Sequence, residues 1–230
     1  MRSVSTTFQV LDALAERQPI GVSELARALG LPKSTVQRSL AVLAESGWIR
    51  PWHSTGHTRW VLTFKPLTMA GYLLRNESML REAAAPTMAE LGQRTRETIH
   101  LTMPDGAEVV LLDKVDSTQA VRNVTWVGGR APIQLSASGL ALLAHGVEAP
   151  VQVDQALLVE TRERGYAINI GMWRDEVSAV AAAIRRPDGV AVAALSISLP
   201  TYRLSEELRT RYGVLVRDGA LAVSRLRFGA

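Results

Sequence analysis

The sequence predicts an α+β protein of two domains, a small helical one with a β-hairpin in front and a larger one with a mainly antiparallel sheet behind. Three observations carry this. Residues Val22 to Leu43, VSELARALGLPKSTVQRSLAVL, hold two short helical patterns around a turn at Gly30 and Pro32. Beyond about residue 96 the apolar period changes from helical to alternating, with turns at Pro104-Asp105-Gly106 and Pro187-Asp188-Gly189. The 230 residues are 47% hydrophobic, enough apolar side chain for two cores.

Val4, Phe8, Leu11 and Ala15 mark one face of a first helix that ends near Gln18-Pro19. In the helix-turn-helix pattern that follows, Leu25, Ala26 and Leu29 face Val36, Leu40 and Leu43. Gly30 can adopt the positive φ that ends the first segment, and Pro32 suits the first turn of the second. Lys33, Ser34, Thr35, Gln37, Arg38 and Ser39 are then left pointing outward. Arg38 and Lys33 suit phosphate or guanine, Gln37 adenine, and Ser34 and Thr35 either. The same residues would also suit the solvated face of an ordinary helical hairpin. Ser46-Gly47 closes the helix, and Trp48 to Pro51 with Arg59 to Leu62 read as two strands around His53-Ser54-Thr55-Gly56-His57. Three helices followed by such a hairpin make a winged helix-turn-helix, whose wing offers Arg50, His53, His57 and Arg59 to a DNA backbone or minor groove. This front part, residues 1–66, carries eight basic residues against four acids, the whole of the chain's net +4. That placement suits a polyanion partner, although three lysines among 26 basic residues would also fit a GC-rich genome.

Residues 67–94 return to helical patterning and read as a linker, with Pro86 expected to kink or restart the helix. The second domain, 95–230, opens with strands Glu97 to Met103 and Glu108 to Asp113, and Val121 to Val127 reads as a third. Ser136 leads into a helix from Leu140 to His145, and Asp154 to Arg164 is a longer one closed by Gly165. Tyr166 to Asn169, Ser178 to Arg185 and Val190 to Leu199 read as strands. Ser205 to Arg227 closes the chain as helix, with an interruption expected near Gly213.

There are no cysteines, which excludes disulfides, thiolate metal sites and thiol catalysis and fits a reducing cytoplasm. The first residues carry charges where a signal peptide would be apolar, and no stretch of spanning length lacks charge, so no membrane partner is expected. HExxH, GxSxG and phosphate-loop motifs are absent, the four histidines are scattered, and no cofactor, metal or catalytic role is expected.

The stretch SVSTTFQVLDALAERQPIGVSELARALGLPKSTVQRSLAVLAESGWI, followed by APIQLSASGLALLA, RERGYAI, SAVAAAI and VAVAALSISLP, resembles the IclR (isocitrate lyase regulator) family of bacterial transcription regulators. Both domains match in the family's order over nearly the whole chain. The resemblance implies a winged helix-turn-helix joined by a helix to a GAF-like effector-binding domain, a homodimer or homotetramer, and double-stranded operator DNA as partner. It implies a ligand-responsive regulator, a repressor by expectation, that senses a small organic acid or aromatic metabolite. A DNA-binding architectural protein whose second domain only oligomerises is the alternative.

Under that resemblance the effector residues would be Asn123, Ala131, Ala137, Ser138, Asn169, Ala179, Ser196 and Ser198. Their chemistry fits an anion: Ser136 can cap a helix whose first N–H groups, those of Ala137, Ser138 and Gly139, face a ligand. Ser196 and Ser198 share one strand face, while Leu195, Ile197 and Leu199 share the other. Helix caps and solvated serine pairs are the plainer uses of such residues. Leu140, Glu176 and Ala183 stand where the family commonly has lysine, glycine and proline. Arg122, Trp173 and Arg174 are further candidates for pocket chemistry, and the small Ala131 and Ala179 leave room for a bulkier acid.

Overall fold

A computed structural model describes residues 2–54 and 57–229. The chain divides into two compact units, residues 1–76 and 77–230. The stretch 67–94 falls on both sides of that division.

The first unit contains α1 (Arg2–Arg17), α2 (Val22–Leu29), α3 (Lys33–Glu45), β1 (Ile49–Ser54), β2 (His57–Leu62) and α4 (Lys65–Asn76). Gly30 ends α2 with φ 64°, and the Pro32 carbonyl accepts from Val36 N–H at the start of α3. Leu25, Val36, Leu40 and Leu43 bury together with Val10, Leu11, Leu14, Ile20 and Ile49 in one core. The buried face of α1 differs from the expected one. Val4 and Phe8 are 61% and 57% exposed, and Val10, Leu11 and Leu14 do the packing. In the first two turns of this 16-residue helix the contact with α3 is made by Thr7, through Ser39, and not by Val4 or Phe8. The wing strands pair antiparallel from Ile49↔Leu62 to Ser54↔His57. They are fastened to the α1–α2 connection by an Ile20↔Trp60 bridge and by Leu62 N–H donating to Gln18 Oε1 at 2.7 Å. The turn residues Thr55 and Gly56, and the side chain of His53, lie outside the described residues.

The second unit contains α5 (Ser78–Thr95), β3 (Thr98–Asp105), β4 (Glu108–Val115), β5 (Arg130–Pro132), α6 (Ala137–Ala144), α7 (Gln155–Arg164), β6 (Ala167–Ile170), β7 (Val177–Arg185), β8 (Ala191–Pro200) and α8 (Glu206–Phe228). Six strands form one antiparallel sheet in the order β5-β4-β3-β8-β7-β6. One face packs on α5 and α8, where a Cβ on Gly219 would lie 3.3 Å from Leu91 and 3.9 Å from Leu195. The other face packs on α6 and α7 through Ala181, Ala183 and Ala194.

Three expectations fail here, each for a tertiary reason. The restart expected at Pro86 does not occur: the break falls at Glu77, and α5 runs through Pro86 because burial of Leu80, Ala84, Met88 and Leu91 outweighs one lost hydrogen bond. Val121 to Val127 reads as a strand but pairs with none. It crosses the sheet as a strap, held by Arg203 donating to the Val121 carbonyl at 2.9 Å and by Gly128 N–H donating to the Leu111 carbonyl at 2.8 Å. Helix α8 is continuous through Gly213. A Cβ at that position would lie 2.2 Å from the Tyr166 ring, so Gly213 is there to let the ring lie flat against the helix.

Gly213→Ala therefore has an expected sign opposite to helix propensity. Propensity alone would stabilise the protein by about 1 kcal/mol, whereas the clash with Tyr166 costs roughly 1–3 kcal/mol. Chemical denaturation of the full chain decides: a net loss of stability supports the packing role, and a gain refutes it.

Candidate functional site

Two places bring chemistry-bearing side chains together, one in each unit. In the first, α3 exposes Lys33, Ser34, Gln37 and Arg38, with Thr35 half-buried. Lys33 and Arg38 have no acidic partner among the described residues, so their charges face solvent unspent. Ser39, expected outward, is 5% exposed and accepts a hydrogen bond from Thr7 Oγ1 at 3.3 Å. The reason is position: Ser39 follows Val36 by three residues and shares the face that α1 covers. On the wing, Arg50 lies over the Trp52 ring at 5.7 Å and His57 is exposed. Arg59 is already engaged, donating to the Pro19 carbonyl at 2.8 Å and to Glu24 at 3.0 Å. That pair ties the wing to the start of α2.

In the second unit a cavity of about 340 Å³ opens between the α6 side of the sheet and the 116–129 strap. The sheet register builds its floor. Asn169, Ala179, Ser198 and Thr98 stand side by side on four neighbouring strands, and Ala181, Ser196 and His100 form the next row on three of them. All eight residues read from the sequence as effector contacts lie on this cavity: Asn123, Ala131, Ala137, Ser138, Asn169, Ala179, Ser196 and Ser198. Arg122, Trp173 and Arg174 line it too, whereas Leu140 is fully buried in the core and takes no part.

The polar groups divide into those already satisfied and those left free. Ser136 caps α6 by accepting from Gly139 N–H at 3.1 Å, which removes Gly139 from the expected set of donors. The N–H groups of Ala137 and Ser138 remain without an intrahelical acceptor. A Cβ at residue 139 would fall 1.8 Å from the Ile133 carbonyl oxygen, so only glycine lets the preceding turn close against this helix end. Asn169 uses both ends of its amide, donating to the Leu135 carbonyl at 2.5 Å and accepting from Met172 N–H at 3.2 Å. It positions the helix terminus. Asn123 Nδ2 donates to Ser198 Oγ at 3.1 Å and so pins the strap to the floor. Ser138 and Ser196 are 5% and 2% exposed, and their hydroxyls have no hydrogen-bond partner among the described residues.

His100 is the residue that sequence reasoning missed. Its Nε2 lies 3.0 Å from Thr125 Oγ1 on the strap, and its pKa is lowered to about 4 by burial first and by the Lys114 charge second. The imidazole is therefore neutral. The alternation of β3 placed His100 on the serine face, but only the β3–β8 pairing sets it beside Ser196. Trp126 and Arg130 also join the lining from outside the expected set. Arg130 is held by Glu108 and Asp105, with its pKa raised by those hydrogen bonds. Arg174 stacks on Trp173 at 4.2 Å, and Arg122 has no partner among the described residues. No acid lines the cavity. Among the described residues no three histidines or carboxylates cluster as a metal site would require, and no helix is long and apolar enough to cross a membrane.

Known proteins match both units. The IclR helix-turn-helix domain matches residues 3–51, and the bacterial transcriptional regulator IclR C-terminal domain matches residues 75–157 and 152–225. The chain is 30% identical to the HTH-type transcriptional regulator KdgR of Escherichia coli over 96% of this chain and 91% of that protein. It is 26% identical to the transcriptional repressor IclR of E. coli over 97% and 89% of the two chains. Among solved structures, Thermotoga maritima IclR superposes with a TM-score of 0.72 at 25% identity, covering 98% of both chains. An IclR homologue of Microbacterium hydrocarbonoxydans, solved with 4-hydroxybenzoate, has the same fold, with a TM-score of 0.74 at 24% identity over 99% and 100%. An IclR helix-turn-helix domain and an IclR C-terminal domain, matched in order across the chain, make this protein a member of the IclR family of bacterial transcriptional regulators.

Proposed function

We propose that the protein is an effector-responsive repressor acting in the cytoplasm, and that its effector is a small organic anion with an aromatic or otherwise flat apolar body. The observation that carries this is the cavity's charge. Arg122 and Arg174 line it with no acidic partner among the described residues, Arg130 being already balanced by Glu108 and Asp105, and two free N–H groups at the α6 terminus add the positive end of a helix dipole. A carboxylate suits that end. The unpartnered Ser138 and Ser196 hydroxyls give it directional hydrogen bonds, each worth roughly 1 kcal/mol net. Trp126, Trp173, Val109 and Leu111 supply flat and apolar walls, and Ala131 and Ala179 leave space between them. The same fold holding 4-hydroxybenzoate in a relative is compatible with this size and charge.

His100 divides the work with the helix end. A neutral imidazole beside Ser196 adds no charge and can meet a hydroxyl or carbonyl on the effector's body. In the head, Lys33, Ser34, Thr35, Gln37 and Arg38 read operator bases and phosphates, with Arg50 and His57 of the wing on the backbone. Arg59 contributes mainly by holding the wing. Val4, Phe8, Leu67 and Tyr72 leave an exposed apolar surface on the first unit, which supports a homodimer presenting two heads to a pseudo-palindrome. Effector binding would then shift the balance between head arrangements.

The deciding experiment titrates benzoate-class and aliphatic acids into the full chain and follows its melting temperature and its affinity for DNA flanking its own gene. An aromatic acid should raise the one and change the other. No response to any acid, with DNA binding intact, would favour a second unit that only assembles the protein. Ser196→Ala together with Ser198→Ala should weaken effector binding about tenfold or more while sparing DNA affinity in the absence of effector; equal loss of both would mean the serines only support the fold. Arg38→Ala should cost about 1–3 kcal/mol of operator binding if Arg38 reads a base, measured by fluorescence anisotropy, and unchanged affinity would exclude it as a reader.

A pH prediction follows from His100. Its pKa is lowered on folding from 6.5 to about 4, so the unfolded chain takes up a proton that the folded one refuses. The stabilising contribution is present above pH 6.5 and is lost as pH falls toward 4, up to about 3 kcal/mol. His100→Gln should flatten that acid-side decline in denaturation experiments between pH 6.5 and 4; an unchanged slope would mean that His100 protonates freely in the fold.

A further inference from the structure

A second, smaller cleft of about 90 Å³ lies at the other end of α6, where Ala144 and His145 approach α7, β7 and α8. It shares no lining residue with the effector cavity. Its polar lining is entirely basic: His145, Arg162, Arg185 and Arg217, with no acid among the lining residues. Two of these cations have local duties. Arg162 Nε donates to the Ala144 carbonyl at 2.8 Å, closing the end of α6, and Arg217 pairs with Asp218 at 2.9 Å. Arg185 has none. Its side chain makes no hydrogen bond or ion pair with the described residues, although its backbone N–H is fixed by Ser224 Oγ at 3.0 Å and its Cα register by Ala191 on β8.

Three guanidinium groups share one concavity, and while Asp218 offsets Arg217, the charges of Arg185 and Arg162 repel each other and disfavour the charged form of the neighbouring imidazole. The His145 pKa is lowered to about 4, by burial first and then by the Arg185 and Arg162 charges. Such an arrangement is electrostatically incomplete. It would be relieved by one negative charge seated among the guanidiniums, whose planar donors match the oxygens of a phosphate or sulfate. The volume has room for a few heavy atoms, far short of a metabolite body. The floor is small and apolar, Ala182 and Ala183, so it offers no side-chain acceptor to Arg185.

We propose that this cleft is a second anion site, built for a tetrahedral oxyanion: inorganic phosphate or the phosphate group of a monoester. Arg185 is its principal ligand, with Arg162 and Arg217 donating from the flanks and His145 beside them. The donor chemistry is common to both sources. They differ in whether a substituent can trail out of the cleft.

Calorimetric titration of the full chain tests this, with inorganic phosphate in one arm, glycerol 3-phosphate in another and chloride at matched ionic strength as the control. Both phosphates, or one of them, should bind saturably, and the tighter arm identifies the source. Arg185→Gln should weaken binding about tenfold, and Arg185→Lys should restore part of it. The His145 ring, followed by NMR in the wild-type chain, should titrate at higher pH once phosphate is bound, because the anion offsets the Arg185 and Arg162 charges. That readout does not depend on any variant folding. The proposal is overturned if phosphate does no more than chloride, or if Arg185→Gln binds as the wild type does with His145 unmoved, which would assign the phosphate to the effector cavity or the reading head.

Discussion

The second unit depends on the small side chains that pave one face of its sheet. Ala179, Ala181, Ala183, Ala194, Ser196 and Ser198 leave α6 free to lie close to β7 and β8 at one end and leave a void under the strap at the other. Leucines in those positions would fill both spaces. The opposite face takes Leu195, Ile197 and Leu199, all fully buried, so the same β8 strand secures the core on one side and spares room on the other. Alternation with period two makes this possible in ten residues.

Helix α6 is short, and both of its ends meet unusual electrostatics. At the start, Gly139 lets the Ile133 carbonyl approach, Asn169 holds the preceding turn, and two N–H groups are left facing the cavity. At the finish, Arg162 takes the Ala144 carbonyl and the other guanidiniums gather nearby. One end offers a helix dipole to an anion and the other a cluster of side-chain cations. Eight residues span about 12 Å, so the two clefts sit at a spacing that a single rigid element bridges.

The head works by a different economy of contacts. Its core consumes the apolar residues of α1, α2 and α3, and its structural polar bonds consume Arg59, Gln18 and Ser39. What remains on α3 is a short polar surface with two unpaired cations. A reading surface needs this: residues that hold the scaffold cannot also rearrange around a base edge.

Much of this was legible beforehand because it is local. The helix-turn-helix follows from apolar spacing and from Gly30, the hairpin from Pro104-Asp105-Gly106, the Ser136 cap from its position, and the inward leucines of β8 from alternation. The expectations that failed were judged on local grounds where a distant partner decides. Gly213 looked like an interruption until Tyr166 was seen against it. Pro86 looked like a place for a new helix to start until the burial of α5 was weighed, and Val121 to Val127 looked like a strand although it forms a strap across the sheet. Ser39 had the right chemistry for the outside and the wrong helical phase.

By itself, then, the sequence determined the elements, the two-part plan and the location of the basic surplus, because periodicity, capping and charge are properties of neighbours in the chain. The tertiary structure decided that His100 stands beside Ser196, that Arg59 is tied down, and that Arg185 is left among other cations with nothing to balance it. Those outcomes depend on strand register and helix packing between residues as much as a hundred positions apart, and no local pattern encodes a distance of that kind.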